Sequence, residues 1–297
     1  MYSRKEYIEN LEAVSGIKTI TTIYQEIATI RMNQIKEKVL QTGVFLEGVS
    51  QVYDHAKKAY IATLQGSALQ GRPDWRQSKF IKRNGKTLLI FLSANEHLYG
   101  SLIFDVYKQF KDDLMRSDNE AVVIGTFGKY LVKNEERLEN RINFFDLYDD
   151  NPTDTQIKKI VQYISNFEQI FVYHGKLLSL LKQVSTRSQI SGGATLEERI
   201  TAPKSYLFEP SPEEIMGFFE TEIIAALFNQ KIYEHLLAKL AARVLSMDQA
   251  NGNADEYLKD LERNYKNFKN HLANHKQLET FAGFNNWQHL KKGGRNG

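Results

Sequence analysis

The positions of the prolines constrain the fold of this chain more than any other feature. All five lie between residues 73 and 212 of the 297, and proline is the residue that most strongly interrupts a helix. Both ends of the chain can therefore form long, unbroken helices, whereas the strand-like segments fall in the middle. The pattern predicts a helix, a central α/β region and a second helix.

A seven-residue repeat in the C-terminal segment indicates whether its helix is continuous. The repeat contains two rows of residues, which are Leu240, Met247, Ala254, Leu261 and Phe268, and Val244, Asn251, Leu258, Tyr265 and Leu272. Both rows keep their spacing across Asn251-Gly252, a pair that otherwise favours a turn. The helix is therefore predicted to continue through this pair, with Asn251 as one polar position in the seam of a coiled coil.

The N-terminal segment shows a similar apolar spacing. Ile20, Ile23, Ile27 and Ile30 are separated by three or four residues, which is the spacing of a coiled-coil seam. We expect this seam to pack against the C-terminal helix in a long antiparallel coiled coil. Two ordinary amphipathic helices on one globular core are the alternative, but about 60 residues at 1.5 Å each span ~90 Å, more than one core needs.

The middle of the chain alternates between strand-like and helical segments. The strand-like runs are 87–93, 120–126, 141–148 and 168–174. They predict a Rossmann-like α/β domain with a mostly parallel sheet, and the polar residues 185–188 are interpreted as a loop. The full prediction is an N-terminal shaft helix (1–65), a loop (66–79), the central α/β domain (80–210), a C-terminal shaft helix (211–283) and a polar, flexible extension (284–297).

Composition and charge exclude several classes of protein. The chain has no cysteine, which excludes disulfides, thiolate metal sites and cysteine nucleophiles. A net charge of +3 is too small to indicate nucleic-acid binding. The apolar runs are too short to cross a bilayer and the N-terminus has no signal-peptide pattern, so we expect a cytoplasmic location.

Two short motifs are candidates for ligand sites, and neither is convincing. Gly125 and Gly128 follow a strand, but they form neither a dinucleotide fingerprint nor a P-loop, so a tight strand-to-helix turn is expected. His271 and His275 are four residues apart on one helical face, a spacing that can chelate a metal, but no third ligand is evident. We therefore expect no cofactor, no metal and no catalytic residue.

Several segments, in the same order along the chain, resemble the gamma subunit of F-type ATP synthases. The segments are Lys5-Glu6-Tyr7, residues 16–24, the strand end at 93–100, "VVIGTFGKY", "VYHGKLLSLLKQ", "YLFEPSPEEI" and "AARVLSMDQANGNA" at 241–254. The last of these contains Asn251-Gly252, and in the family it belongs to a continuous helix. The resemblance implies the rotating central shaft of an ATP synthase or ATPase, with catalysis on other subunits.

The resemblance also implies partners and contact residues. The partners are three alpha and three beta subunits, an epsilon subunit and a membrane c-ring, with one copy of this chain in each complex at the cytoplasmic face of the membrane. The implied shaft contacts to alpha and beta are Ile20, Thr21, Tyr24, Arg243, Met247, Lys269, Asn270 and Asn274, and the implied contacts to the ring and epsilon are Tyr206 and Glu209. At positions 269–270 the family has Arg-Gln, so this chain lacks the guanidinium fork there.

Three alternatives remain. An F-type-like motor could use this shaft without a standard ion-translocating ring. A small-molecule enzyme on a Rossmann-like sheet would need a glycine-rich loop or an acid/base pair at the strand ends, and neither is evident. A coiled-coil scaffold would explain the two long helices, but not the series of matching segments.

Overall fold

The computed structural model describes residues 3–66, 83–133, 135, 141–148, 152–191 and 212–293, and in the two terminal helices it describes the side chains of residues 3–56 and 215–284. The chain forms two compact units, one of Met1–Glu26 with Met247–Gly297 and one of Ile27–Ser246. Most of the predicted loop 66–79 and the predicted contact residues Tyr206 and Glu209 lie outside the described residues.

The two terminal helices are long and antiparallel. Helix α1 spans Arg4–Gly66 and helix α5 spans Pro212–Gly293. In the first unit the ring of Tyr7 lies 5.6 Å from that of Phe268, whereas Lys18 pairs with Asp255, so positions rise along α1 as they fall along α5. Helix α5 continues through Asn251-Gly252, which confirms the prediction from the seven-residue repeat.

Residues 284–293 of the predicted flexible extension belong to this helix. The predicted C-terminal shaft helix ended at 283, but α5 continues to Gly293.

The predicted seam of α1 is wrong. Ile20, Ile23, Ile27 and Ile30 are 55%, 49%, 40% and 60% exposed. In the first unit the positions of α1 that are buried or partly buried are Tyr7, Asn10, Leu11, Val14, Lys18, Thr21 and Gln25. The isoleucines have the spacing of a seam but lie on the opposite side of the helix. On α5 the predicted seam is correct at Met247, Ala254 and Leu261, which are buried.

In the second unit α1 and α5 also pack against each other. Ala28, Met32 and Ile35 of α1 form one apolar cluster with residues of α5, which are Leu236, Leu240, Ala241 and Val244. Burial of these side chains stabilises the pair through the hydrophobic effect.

The central sheet has five strands, in the order β3-β2-β1-β4-β5. The strands are β1 (Thr87–Leu92), β2 (Glu120–Ile124), β3 (Ile142–Phe145), β4 (Gln169–Ser179) and β5 (Lys182–Gln189). All neighbouring pairs are parallel except β4 and β5, which confirms the predicted mostly parallel sheet. Strands β1 and β2 are almost entirely apolar because both of their faces are buried.

Strand β5 corrects the interpretation of residues 185–188 as a loop. These residues pair with β4 at the edge of the sheet, where a strand can be polar because much of it faces solvent. The guanidinium of Arg187 lies 3.9 Å from the ring centroid of Phe171 and 3.4 Å from a carboxylate oxygen of Asp113.

Three helices cover the sheet together with α5. They are α2 (Leu102–Met115), α3 (Thr126–Lys133) and α4 (Asp154–Ile164). One apolar cluster joins Ile90 of the sheet to α4 and to Phe228 of α5. The other joins Phe91 to α2 and α3 and to Ala238 of α5. Helix α5 therefore contributes to the core on both faces of the sheet.

The start of α3 explains two glycines, of which Gly125 lies in the turn between β2 and α3 and Gly128 in the first turn of the helix. Gly125 has φ +107°, and a Cβ at this position would lie 3.0 Å from the backbone nitrogen and oxygen of Ala94. A Cβ on Gly128 would lie 2.7 Å from the Cβ of Ser93. Both positions need glycine because two segments of the chain approach closely, so the predicted tight turn is confirmed.

Candidate functional site

An apolar surface lies on α1 within the first unit. Ile17, Ile20, Ile23 and Tyr24 are exposed, and we call this surface the isoleucine face. It points away from the covered positions Lys18, Thr21 and Gln25. A contiguous apolar surface is typical of a site that another molecule covers, so the isoleucine face is the first candidate for function.

On α5 the exposed side of residues 256–263, in the same unit, is mostly charged. Apart from Tyr257, its exposed side chains include Glu256, Lys259, Asp260, Glu262 and Arg263. Beyond Asn270, α5 also exposes Leu272, Leu278, Phe281 and Phe284. Around the isoleucine face the helix pair is therefore asymmetric, because residues 17–24 of α1 present apolar groups to solvent and residues 256–263 of α5 present mostly charges.

A polar layer connects the two helices beside the isoleucine face. Thr21 Oγ1 donates a hydrogen bond to Asn251 Oδ1, and Asn251 Nδ2 donates to Gln25 Oε1 at 3.0 Å. Gln25 Nε2 in turn donates to Asp248 Oδ1 at 3.3 Å. Polar groups that pair inside a coiled coil fix its register. Thr21, predicted as an external contact, is thus used within the chain.

Arg243 is likewise bound within the chain. Its side chain is buried, and Nη2 donates to Glu96 Oε2 at 2.7 Å and to the carbonyl oxygen of His97 at 3.0 Å. The guanidinium also lies 4.3 Å from the ring centroid of Tyr99. These contacts attach α5 to the loop that follows β1. Met247, another predicted contact, is buried as well.

The predicted contacts near the C-terminus lie on the surface. Lys269, Asn270 and Asn274 are exposed on α5, and so are residues 271–284 as a group. His275 Nδ1 is 3.2 Å from Glu279 Oε1. No cluster of three possible metal ligands occurs among the described residues, and His271 and His275 remain two ligands without a third.

The crevice that commonly binds ligands in α/β proteins is filled by this chain itself. In open sheets that crevice lies beyond the carboxyl ends of the strands, where the strand order reverses, and here it lies between β1 and β4. His235 of α5 occupies it. The backbone nitrogen of Gly175 donates to His235 Nδ1 at 2.9 Å, and His235 Nε2 donates to the carbonyl oxygen of Ser93 at 3.0 Å. This arrangement argues against the small-molecule enzyme.

Helices that cross membranes have a long, nearly uncharged apolar stretch. Within the part of the chain that the structure describes, no helix has one.

Comparisons with known proteins agree on one family. A protein-family profile described as ATP synthase matches residues 3–270. The ATP synthase gamma chain of Rickettsia canadensis is 21% identical over 296 residues, which cover 95% of this chain and 99% of the relative. That of Buchnera aphidicola subsp. Schizaphis graminum is 24% identical over 297 residues, with 95% and 98% covered.

The fold is also similar to a solved structure. A chain in the central stalk and c-ring of the mitochondrial ATP synthase of Tetrahymena thermophila superposes with a TM-score of 0.56 at 14% identity, over 78% of this chain and 99% of that one. This likeness of fold agrees with the resemblance of the sequence segments. The chain therefore belongs to the ATP synthase gamma chain family, whose members are the non-catalytic rotor subunits of the central stalk.

Proposed function

We propose that this chain couples rotation to the conformational cycle of catalytic beta subunits, as the shaft of an F-type ATP synthase or ATPase. Ion flow through a membrane ring would turn it during ATP synthesis, and ATP hydrolysis would turn it in the opposite direction. The asymmetry of the helix pair in the first unit is the observation that carries this proposal.

The asymmetry suggests how one shaft acts on three identical subunits. At any angle, one beta subunit faces the isoleucine face while another faces the charged side of α5. A partner changes conformation only when its states bind the shaft with different free energies. An apolar surface and a charged surface would bind those states with different free energies. Rotation would present each surface to one beta subunit after another. The result is a coupling free energy between the shaft and each nucleotide site.

The predicted contact residues divide into two groups under this proposal. Ile20, Tyr24, Lys269, Asn270 and Asn274 are exposed and would touch the alpha and beta subunits directly. Thr21, Arg243 and Met247 have their contacts inside the chain and would support that surface from within.

We extend the proposal to the remaining partners. Tyr206 and Glu209 would contact the membrane c-ring and the epsilon subunit, and the assembled complex would hold the chain at the cytoplasmic face of the membrane. The Tetrahymena stalk was solved together with a c-ring, which supports a ring as partner.

The test is a pull-down of tagged full-length chain from its native cell, with partners identified and counted by mass. We expect alpha-like and beta-like subunits, three of each for every copy of this chain. Recovery of the chain alone, or only with itself, would refute the shaft. Recovery of the six subunits without a ring would instead indicate a motor that is not coupled to a standard ion-translocating ring.

A further inference from the structure

We propose that His235 is the positioning residue that joins α5 to the central sheet, and that protonation of its ring opens this joint. The inference concerns the chain alone, so it goes beyond the shaft function and does not depend on it.

The ring of His235 binds backbone groups of two different strands. Nδ1 accepts from the Gly175 nitrogen of β4, and Nε2 donates to the carbonyl oxygen of Ser93, directly after β1. Because Nδ1 must accept, only the neutral tautomer with hydrogen on Nε2 fits. A protonated ring carries hydrogen on both nitrogens, so Nδ1–H would point at the N–H of Gly175. One hydrogen bond would be lost and two donors would face each other.

Gly175 lies at a point where α5 approaches the sheet closely. A Cβ at this glycine would be 3.0 Å from Leu102 Cδ2 of α2 and 3.2 Å from Ala238 Cβ of α5. Its carbonyl oxygen also accepts a hydrogen bond from Nδ1 of His174 at 3.0 Å. One residue therefore connects both buried histidines, through its N–H and its carbonyl oxygen, and a change at His235 acts directly on the packing of α5 against β4.

The charged and titratable groups around His235 do not favour a proton on its ring. On α5, Lys239 follows one turn later and is itself buried. From β4 the facing group is His174, and from the end of β1 it is the uncharged carbonyl of Ser93. From the segment after β3, Tyr148 lines a cavity that His235 and Lys239 also line. Glu234, directly before His235, and the lysines Lys176 and Lys231 act on His174.

These surroundings keep the ring neutral in the folded chain. Burial lowers the pKa of His235 well below its ordinary value of 6.5, and the charge of Lys239 lowers it further. The hydrogen bond to Ser93 and the nearby His174 have smaller effects, in opposite directions. Once α5 leaves the sheet, the ring meets water and regains a pKa of about 6.5.

The direction of the pH effect follows from this difference. The open state binds a proton more readily than the closed state, so acid favours opening. The closed joint is fully stable above pH 6.5 and loses stability as the pH falls from 6.5 toward the pKa of the folded ring. One histidine changes the opening equilibrium by about tenfold per pH unit, and two that are exposed together change it by about a hundredfold.

Hydrogen exchange at the Gly175 amide of the full-length chain tests the proposal. With rates corrected for the intrinsic effect of pH, we expect protection to fall about tenfold per unit below pH 6.5. His235→Gln should abolish this slope, and His275→Gln, at an exposed site, should leave it unchanged. A hundredfold slope that His174→Gln reduces to tenfold would show that both rings are exposed in the same opening. Protection independent of pH in the wild type, or an unchanged slope in His235→Gln, would overturn the proposal.

The wild-type protein gives an independent test if His235→Gln fails to fold. Histidine ring carbons can be labelled and followed by NMR through an acid titration. We expect the His235 ring to remain neutral until the Gly175 amide loses its protection, and then to gain its proton in the same transition. A His235 ring that titrates near pH 6.5 while the amide stays protected would show that its proton does not open the joint.

Discussion

Asn251 of α5 donates a hydrogen bond to Gln25 of α1 at 3.0 Å, and the same asparagine accepts one from Thr21. A single side chain of α5 thus forms hydrogen bonds with two side chains of α1. These bonds exist in one register only, because a shift by one heptad would place Asn251 opposite different residues.

Removing the polar layer should therefore loosen the register. In the triple variant Thr21→Val, Gln25→Leu, Asn251→Leu, we expect equal or greater thermal stability but more than one helix alignment, since apolar seams tolerate slippage. The chain has no cysteine, so spin labels can be attached specifically at Glu12→Cys and Lys259→Cys. Their distance distribution should be single in the parent and broadened in the variant, because a heptad shift moves a label by about 10 Å. An equally narrow distribution in both would contradict a register role.

The isoleucine face should matter for assembly and not for folding. Ile20→Asp with Ile23→Asp should change the free energy of unfolding by less than about 0.5 kcal/mol, since both side chains already face solvent. Assembly with alpha and beta subunits should fall at least tenfold, measured by co-purification. Leu180→Asp with Leu181→Asp, at exposed apolar residues between β4 and β5, is the matched control and should assemble normally. Equal assembly of both variants would show that the isoleucine face is not a contact.

Arg243 should be strongly coupled to Glu96. Arg243→Met removes the Nη2 donor that binds both the carboxylate of Glu96 and the carbonyl of His97, and should cost about 1–3 kcal/mol of unfolding free energy. A double-mutant cycle with Glu96→Gln, measured by urea denaturation, should give a coupling of at least about 0.5 kcal/mol. The exposed pair of Arg263 and Asp260, 3.8 Å apart, is the control, and its cycle should give roughly 0–0.5 kcal/mol. Similar coupling free energies for the two pairs would mean that burial of Arg243 does not strengthen its interaction with Glu96.

Two glycines in helices should respond to alanine in opposite ways. Gly128→Ala places a methyl group 2.7 Å from Ser93 Cβ and from Val123 Cγ1, and should destabilise the chain by about 1–3 kcal/mol. Gly252→Ala meets no atom within 4 Å, and should stabilise α5 by about 0.5–1 kcal/mol. Urea denaturation measures both changes. A destabilising Gly252→Ala would mean that the helix bends or is contacted at this position.

His174 should make the whole chain sensitive to acid. Burial lowers its pKa from 6.5 to about 4, so the folded state favours the neutral ring. Its contribution to stability is complete above pH 6.5 and is lost as the pH falls toward 4, a change on the order of 3 kcal/mol. The free energy of unfolding should therefore depend less on pH in His174→Gln than in the wild type. If the free energy of unfolding fell by the same amount in both proteins between pH 7 and 5, the result would contradict this prediction.

The sequence predicted α5 better than α1 for a physical reason. On α5 the seam is apolar except at Asn251, so counting by sevens identifies it. On α1 three consecutive seam positions are polar, and their partners on α5 lie more than 200 residues away. A row counted by sevens from Tyr7 passes through Thr21 and Ala28 and would have found the seam. The exposed isoleucines have a similar spacing and are more apolar, so they were the stronger signal.

Other features depended on contacts that no local pattern records. The partner of Arg243 is Glu96, 147 residues earlier, and His235 reaches two strands that are distant in sequence. Strand β5 was missed because its alternation is weak, with serine, threonine and arginine at the edge of the sheet. By contrast, the glycines at 125 and 128 were interpreted correctly, since a strand followed by a helix needs a tight turn whether or not it binds a phosphate.

The occupied crevice between β1 and β4 determines what a small molecule could do there. A compound that entered it would meet the buried ring of His235 and would have to displace α5 to gain its own contacts. Part of its binding free energy would be consumed by that displacement. Its affinity would therefore depend on the free energy with which α5 packs against the sheet. Such a compound would not imitate a substrate. It would act as a competitor of the helix and would inhibit by uncoupling the sheet from α5.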